Sequence, residues 1–164
     1  MHAHDILHMD LKPENVFQHG TLLKIGDFGN SVKSAEYDDD DGDPIYLAPE
    51  VLKGIAAPQS DVFSLGLMYY EMATRCELPS MGPEWQWLRS GEVTMLWRET
   101  WPSHIDQVVL PMLQPDLMKR PPAQLVLDRC KAMELPAGPD GIGMDFSGKA
   151  MEMPAGMDGS ALDL

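Results

Sequence analysis

The sequence predicts a mainly α domain with one short two-stranded hairpin near its start. Three observations predict it. The stretch SDVFSLGLMYYEMATR, residues 60–75, is apolar on almost every side, which suits a helix at the centre of a domain. Shorter helical segments follow around EWQWLRS, HIDQVVLPML and PAQLVLDRCKAM. Only NVFQHG and TLLKIGDF read as strands, joined at a turn around His19 and Gly20.

Each element has a local rationale. Residues 2–7, HAHDIL, read as the last turn of a helix whose beginning lies upstream. From Asp27 to Glu50 the pattern is irregular, and its acidic run DDDDGD reads as a solvated loop. Ser60 is expected to cap the long helix, with Asp61 in its first turn and Arg75 in its last, matching the macrodipole. Pro121 and Pro122 suit the first turn of the final helix. Beyond Leu135 the composition shifts to Gly, Pro, Met and Asp with no apolar period. Residues 1–133 are therefore expected to fold and 134–164 to form a disordered tail.

Composition narrows the function classes. With 164 residues, 44% of them apolar, there is material for one domain with a core. A net charge of -14 leaves no Lys/Arg surplus for nucleic-acid phosphates, so no nucleic-acid partner is expected. Cys76 and Cys130 lack CxxC spacing, which argues against a zinc site or a disulfide framework and for a reducing compartment. No secretory signal and no apolar run of spanning length occur, so the expected setting is intracellular, in nucleus or cytoplasm.

The chemistry lies in three separated signatures: HMDLKPEN at 8–15, DFG at 27–29 and APE at 48–50. In order and spacing they match the catalytic loop, the metal-binding turn and the end of the activation segment of protein kinases. A helix opening with Asp61, and Arg120 further on, follow in the order the match requires. On these residues the chain resembles the C-terminal, large lobe of a eukaryotic protein kinase from its first residues to about Met133.

The resemblance implies ATP and Mg²⁺ as cofactors and a hydroxyl-bearing protein as substrate, with the chain a monomer. Phosphoryl transfer needs an aligned nucleophile and neutralised charge more than covalent help. Asp10 would orient the acceptor hydroxyl and take its proton, and Lys12 would neutralise charge on the transferred group. Asn15 and Asp27 supply hard oxygens suited to Mg²⁺, and Lys12, Asn15 and Asp27 together would hold the nucleotide. His8 and Asp61 are expected to support the loop backbone rather than to react, Asp61 by accepting backbone N–H bonds. Glu50 and Arg120 resemble the family's buried ion pair. Met9 stands where most kinases carry an arginine that receives an activation-segment phosphate. Between Asn30 and Leu47 only Ser31, Ser34, Tyr37 and Tyr46 bear hydroxyls, so control by phosphorylation of that segment is not expected.

Downstream, GDPIYLAPEVL, ELPSMGPEWQWLRSGE and PMLQPDLMKRP are similar to the Wee-type cell-cycle inhibitory kinases, whose members are nuclear or membrane-associated. Their distinctive piece is Glu77, Leu78, Pro79, Trp85, Gln86, Leu88, Arg89 and Gly91. Ile45, where arginine is usual, and Asn30, where an apolar residue is usual, depart from the pattern. The implied substrate is a cyclin-dependent kinase.

The sequence contains no GxGxxG followed by a V-A-I-K-like strand, so the N-terminal, ATP-roofing lobe is expected to be absent from it. The Gly-rich run PAGPDGIGMDFSGK precedes no strand and reads as linker. A different class of function is a non-catalytic interaction module docking through Trp85 to Trp97. Intact Asp10, Lys12, Asn15 and Asp27 favour the kinase. Without a roof, positioning suffers, and a misplacement of ~1 Å costs about 100-fold. The purified chain is thus expected to show no transfer from radiolabelled ATP to a cyclin-dependent kinase acceptor; robust, Asp10-dependent turnover would contradict this.

Overall fold

One helix organises the chain. In the computed structural model, which describes residues 1–37, 42–94 and 106–133, α1 runs from Pro58 to Thr74. It starts before Ser60, the expected cap. Pro58 has no amide proton to leave unsatisfied in the first turn, and Ala57 takes the extended cap conformation. Ser60 lies one turn in, where its Oγ accepts the Ala57 amide at 3.2 Å and donates to Glu50 Oε1 at 2.8 Å. At the other end Arg75 is not in the last turn but beyond it. Its left-handed φ of 56° closes the helix.

Among the described residues three further α-helices pack around it: α2 (Pro83–Trp87), α3 (Asp106–Met112) and α4 (Ala123–Ala132). Pro122 is the residue before α4, so the two prolines precede its first turn instead of lying in it. Phe63, Leu67 and Tyr70 of α1 are fully buried, together with Leu7, Leu88 and Val109, in the main core. A smaller cluster joins Val62 to Val108, Met112 and Val126 under α3 and α4. Gly66 allows α1 and α3 to approach closely. A Cβ there would lie 2.9 Å from Met112 Cβ and 3.0 Å from Leu113 Cδ2.

The expected hairpin is present as β2 (Val16–His19) paired antiparallel with β3 (Leu22–Ile25), Val16 opposite Ile25 and His19 opposite Leu22. Gly20 turns it with φ 60°. Two other expectations fail together. Of residues 2–7 only His2–His4 form a helical turn, of the tight 3-10 type, which Asp5 ends with φ 57°. Ile6–Leu7 is a strand, β1, and it pairs with β4 (Val32–Lys33) inside the stretch read as irregular. Exposed Ile6 beside fully buried Leu7 is strand alternation, but two residues are too few to display a period without their distant partner. The tail 134–164, residues 38–41 of the acidic run, and Trp97 lie outside the described residues. Among the described residues no helix is long and apolar enough to cross a membrane.

The chain between the sheets and α1 is tied to the far end of the domain by Glu50 and Arg120, both buried. The guanidinium is bidentate, Nη1 to Oε1 at 2.6 Å and Nη2 to Oε2 at 3.0 Å. Its remaining N–H groups reach the carbonyls of Gln59 and Gln114, and it lies 4.8 Å from the Phe63 ring centroid. Replacing Arg120 with Met keeps volume but strands the Glu50 carboxylate. The expected loss is about 3–5 kcal/mol of stability, read as a lower urea midpoint; an unchanged midpoint would contradict it.

Candidate active site

The loop 8–15 is held from below by α1. Asp61, 3% exposed at the helix start, accepts the His8 amide on Oδ2 and the Met9 amide on Oδ1, both at 2.9 Å. His2 Nε2 lies 2.8 Å from the same Oδ2. Two amides can converge on one carboxylate because Met9 is left-handed, with φ 65°. That conformation costs a non-glycine residue about 1–3 kcal/mol, and two charge-assisted hydrogen bonds offset it. Met9 itself is 6% exposed and packs in the core, so this position presents no cation.

His8 is a connector. Its Nε2 is 3.0 Å from the Gly26 carbonyl, which requires the proton on that nitrogen, and its Nδ1 accepts the Asp10 amide at 3.3 Å. The ring also packs 5.4 Å from the Phe28 ring. Both nitrogens are engaged by backbone, so His8 supports the loop as expected and offers no free base.

Asp10, Lys12 and Asn15 meet directly. Asn15 Nδ2 donates to the Asp10 carbonyl at 2.8 Å and to Asp10 Oδ2 at 3.0 Å. Lys12 Nζ lies 3.0 Å from the same Oδ2 and 3.8 Å from Asp43 Oδ2. The Asp10 hydrogen bond raises the Lys12 pKa above its ordinary value against the lowering effect of burial, so the ammonium stays charged. Asp10 Oδ1 is buried and has no hydrogen-bond partner among the described residues. Such an oxygen is costly unless something else supplies a proton.

Asp27 reaches the same neighbourhood through the hairpin. The Gly26 amide donates to the Asn15 carbonyl at 2.9 Å, so Asp27 follows directly on the residue bonded to Asn15. It is exposed and left-handed, φ 56°, and its Oδ1 accepts the Gly29 amide at 3.3 Å. Asn15 spends its amide nitrogen on Asp10, which leaves Oδ1 as the atom free to ligate; Asp27 likewise keeps Oδ2. Among the described residues no group of three or more His, Cys, Asp or Glu is placed to hold a metal. Carboxylate and amide oxygens of this kind are the hard donors that Mg²⁺ prefers, and it fills the rest of its shell with phosphate and water.

A part of the site that sequence reasoning did not assign is the support of residues 43–47. Asp43, Tyr46 and Leu47 border a small cleft beside Asp10, lined also by Met9, Leu11 and Ser64. The Tyr46 hydroxyl donates to Glu71 Oε2 at 2.6 Å, and Ser64 Oγ donates to the Tyr46 carbonyl at 2.8 Å. From the other side the Trp85 indole donates to the Pro44 carbonyl at 2.8 Å, while Arg89 donates to the carbonyls of Pro44, Ile45 and Leu47. Trp85 and Arg89 were visible as distinctive residues, but nothing in their spacing shows what they touch.

Comparison with known proteins agrees with this geometry. The protein kinase domain model matches residues 1–129. The chain belongs to the protein kinase family. A "Probable protein kinase" of Dictyostelium discoideum is 41% identical over 129 residues, spanning 77% of this chain and 37% of that protein. The membrane-associated tyrosine- and threonine-specific cdc2-inhibitory kinase wee-1.3 of Caenorhabditis elegans is 37% identical over 137 residues, 78% of this chain and 20% of its own length. The mitosis inhibitor protein kinase mik1 of Schizosaccharomyces pombe is 43% identical over 100 residues, 58% and 17% respectively. The resemblance to Wee-type kinases is thereby confirmed, and the chain spans between about a sixth and just over a third of these relatives' lengths.

Within this kinase-family site the Tyr46–Glu71 pair is pH-sensitive. Burial pushes the Glu71 carboxyl above the ordinary carboxylate range, partly offset by the Tyr46 hydrogen bond. Burial and Glu71 push the Tyr46 hydroxyl upward too, so it remains the donor. A carboxyl whose pKa rises on folding favours its neutral form. Its contribution is therefore full below the ordinary range and is lost as pH rises through the folded value. Glu71→Gln should flatten the fall in stability that begins as pH rises above the ordinary carboxylate range, whereas Glu71→Ala, by orphaning the Tyr46 hydroxyl, should cost about 1–3 kcal/mol. Urea midpoints across pH check both; identical slopes for Glu71→Gln and the unmutated chain would contradict the assignment.

Proposed function

We propose that this chain is the large lobe of a protein kinase that moves the γ-phosphoryl group of ATP onto a hydroxyl of a protein. The observation that carries the reading is the asymmetry of Asp10: Oδ2 is held by Lys12 and Asn15, and Oδ1 is buried without a donor. An acceptor hydroxyl donating to Oδ1 would satisfy that oxygen and would be aligned for attack in the same step. Lys12 stands against the carboxylate that would take the proton, where its fixed positive charge would neutralise the phosphoryl oxygens in transit. Asn15 Oδ1 and Asp27 are the groups that would hold Mg²⁺. When bound, that ion would supply charge neutralisation across the nucleotide phosphates.

The substrate side of the proposal rests on the relatives. The wee-1.3 kinase is named as cdc2-inhibitory and the mik1 kinase as a mitosis inhibitor. We infer the same role here, inhibitory phosphorylation of a cyclin-dependent kinase in the nucleus or cytoplasm. The non-catalytic module is the weaker alternative. Its docking segment, Trp85 to Trp97, is described only as far as Thr94, and Trp85 is already occupied within the domain.

The test is to join this chain behind the ATP-binding lobe of a Wee-type relative and assay transfer to a cyclin-dependent kinase acceptor. Mg²⁺-dependent transfer is expected, and Asp10→Asn should lower kcat by about 10²–10⁴-fold with little change in acceptor KM. A folded fusion that binds ATP yet transfers nothing, or an Asp10→Asn variant of full activity, would overturn the reading.

A further inference from the structure

We propose that Trp85 and Arg89 are positioning residues that lock residues 43–47 in place beside Asp10 with no phosphate on the chain. The proposal rests on the kinase reading of Asp10 and adds how the segment beside it is kept in shape.

Three observations support it. First, the segment sits hard against the catalytic-type loop. A Cβ on Gly42 would lie 3.2 Å from the Met9 carbonyl oxygen and 2.6 Å from Leu47 Cδ2, and Asp43 faces Lys12. Small shifts of 43–47 therefore reshape the space beside Asp10.

Second, Arg89 is a buried cation, 6% exposed, whose hydrogen bonds all go to backbone carbonyls: Nε to Leu47 at 3.0 Å, Nη2 to Pro44 at 3.1 Å and Ile45 at 2.9 Å, Nη1 to Trp85 at 3.0 Å. Among the described residues it has no carboxylate partner. Burial lowers its pKa to about 10. A desolvated, unpaired guanidinium is costly as mere packing. Here its planar fork gathers three carbonyls of one short segment, a task that suits arginine and not lysine.

Third, Trp85 completes the grip. Its ring lies 3.7 Å beneath the guanidinium, and its indole N–H donates to the Pro44 carbonyl that Arg89 also binds. Every bond of this clamp to the segment ends on main chain, so it asks for no modified side chain. On the loop side the segment meets Met9, which has no cation to offer a phosphate.

The test uses the full, unphosphorylated 164-residue chain. Amide exchange is followed at Ile45, Tyr46 and Leu47, whose N–H groups all bond to Asp43, and at Leu67 and Tyr70 in α1. Binding of a synthetic peptide carrying the inhibitory tyrosine of a cyclin-dependent kinase is titrated in parallel. Arg89→Gln is expected to speed exchange at residues 45–47 by about tenfold or more while Leu67 and Tyr70 change by less than about twofold. Peptide affinity should fall by about tenfold alongside, with Arg89→Lys intermediate in both. Trp85→Phe keeps the stacked ring, removes only the indole N–H, and should give a smaller effect of the same pattern; it decides the matter if Arg89→Gln does not fold. Unchanged exchange at 45–47, or an equal rise in α1, overturns the proposal. A localised exchange effect in a chain that binds no peptide supports the clamp and overturns the acceptor reading of Asp10.

Discussion

The structure turns on one carboxylate. Asp61 is buried at the start of the central helix, and its two oxygens receive the amides of His8 and Met9. Those bonds stabilise a left-handed methionine that would otherwise relax, and they fix where the chain points as it leaves β1 for Asp10. From there the constraint propagates by contact. The Asp10 amide bonds His8, His8 bonds Gly26 at the end of β3, and Gly26 bonds Asn15. The loop and the hairpin that follows it are closed into a ring of hydrogen bonds around Asp10 and Asn15, and the distant helix anchors that ring through Asp61.

A second set of supports holds residues 43–50. Glu50 is tied to Arg120, and the residues just before it are gripped by Arg89, Trp85, Ser64 and Glu71. Most of these side chains reach backbone carbonyls instead of one another. The shape of the cleft thus depends on peptide groups that every residue possesses.

How much of this could be read from the sequence depended on the range of the signal. The long helix, the hairpin and the site residues lie in contiguous motifs with strong local chemistry, and the structure brings Asp10, Lys12 and Asn15 into direct contact. Asp61 and the Glu50–Arg120 pair were legible only because a family pattern links positions that no local rule connects. What escaped was pairing of very short elements. Ile6–Leu7 finds Val32–Lys33 across the loop and hairpin, and neither dipeptide shows a period of its own. Ser60 looked like a helix cap because its residue type favours that role, but Pro58 starts the helix earlier and Ser60 bonds Glu50. Arg89 showed the limit most clearly: its sequence position is distinctive, while its partners, three carbonyls more than forty residues away, carry no sequence signature at all.

The most direct measurement of the central claim is the backbone conformation of Met9, read from NMR scalar couplings in the unmutated chain and in Asp61→Asn. With the carboxylate present, Met9 should be uniformly left-handed. With an amide in its place, which can accept fewer N–H bonds, a mixture containing extended or right-handed conformers should appear while α1 stays folded. A Met9 that keeps its left-handed backbone without the Asp61 carboxylate would contradict the account.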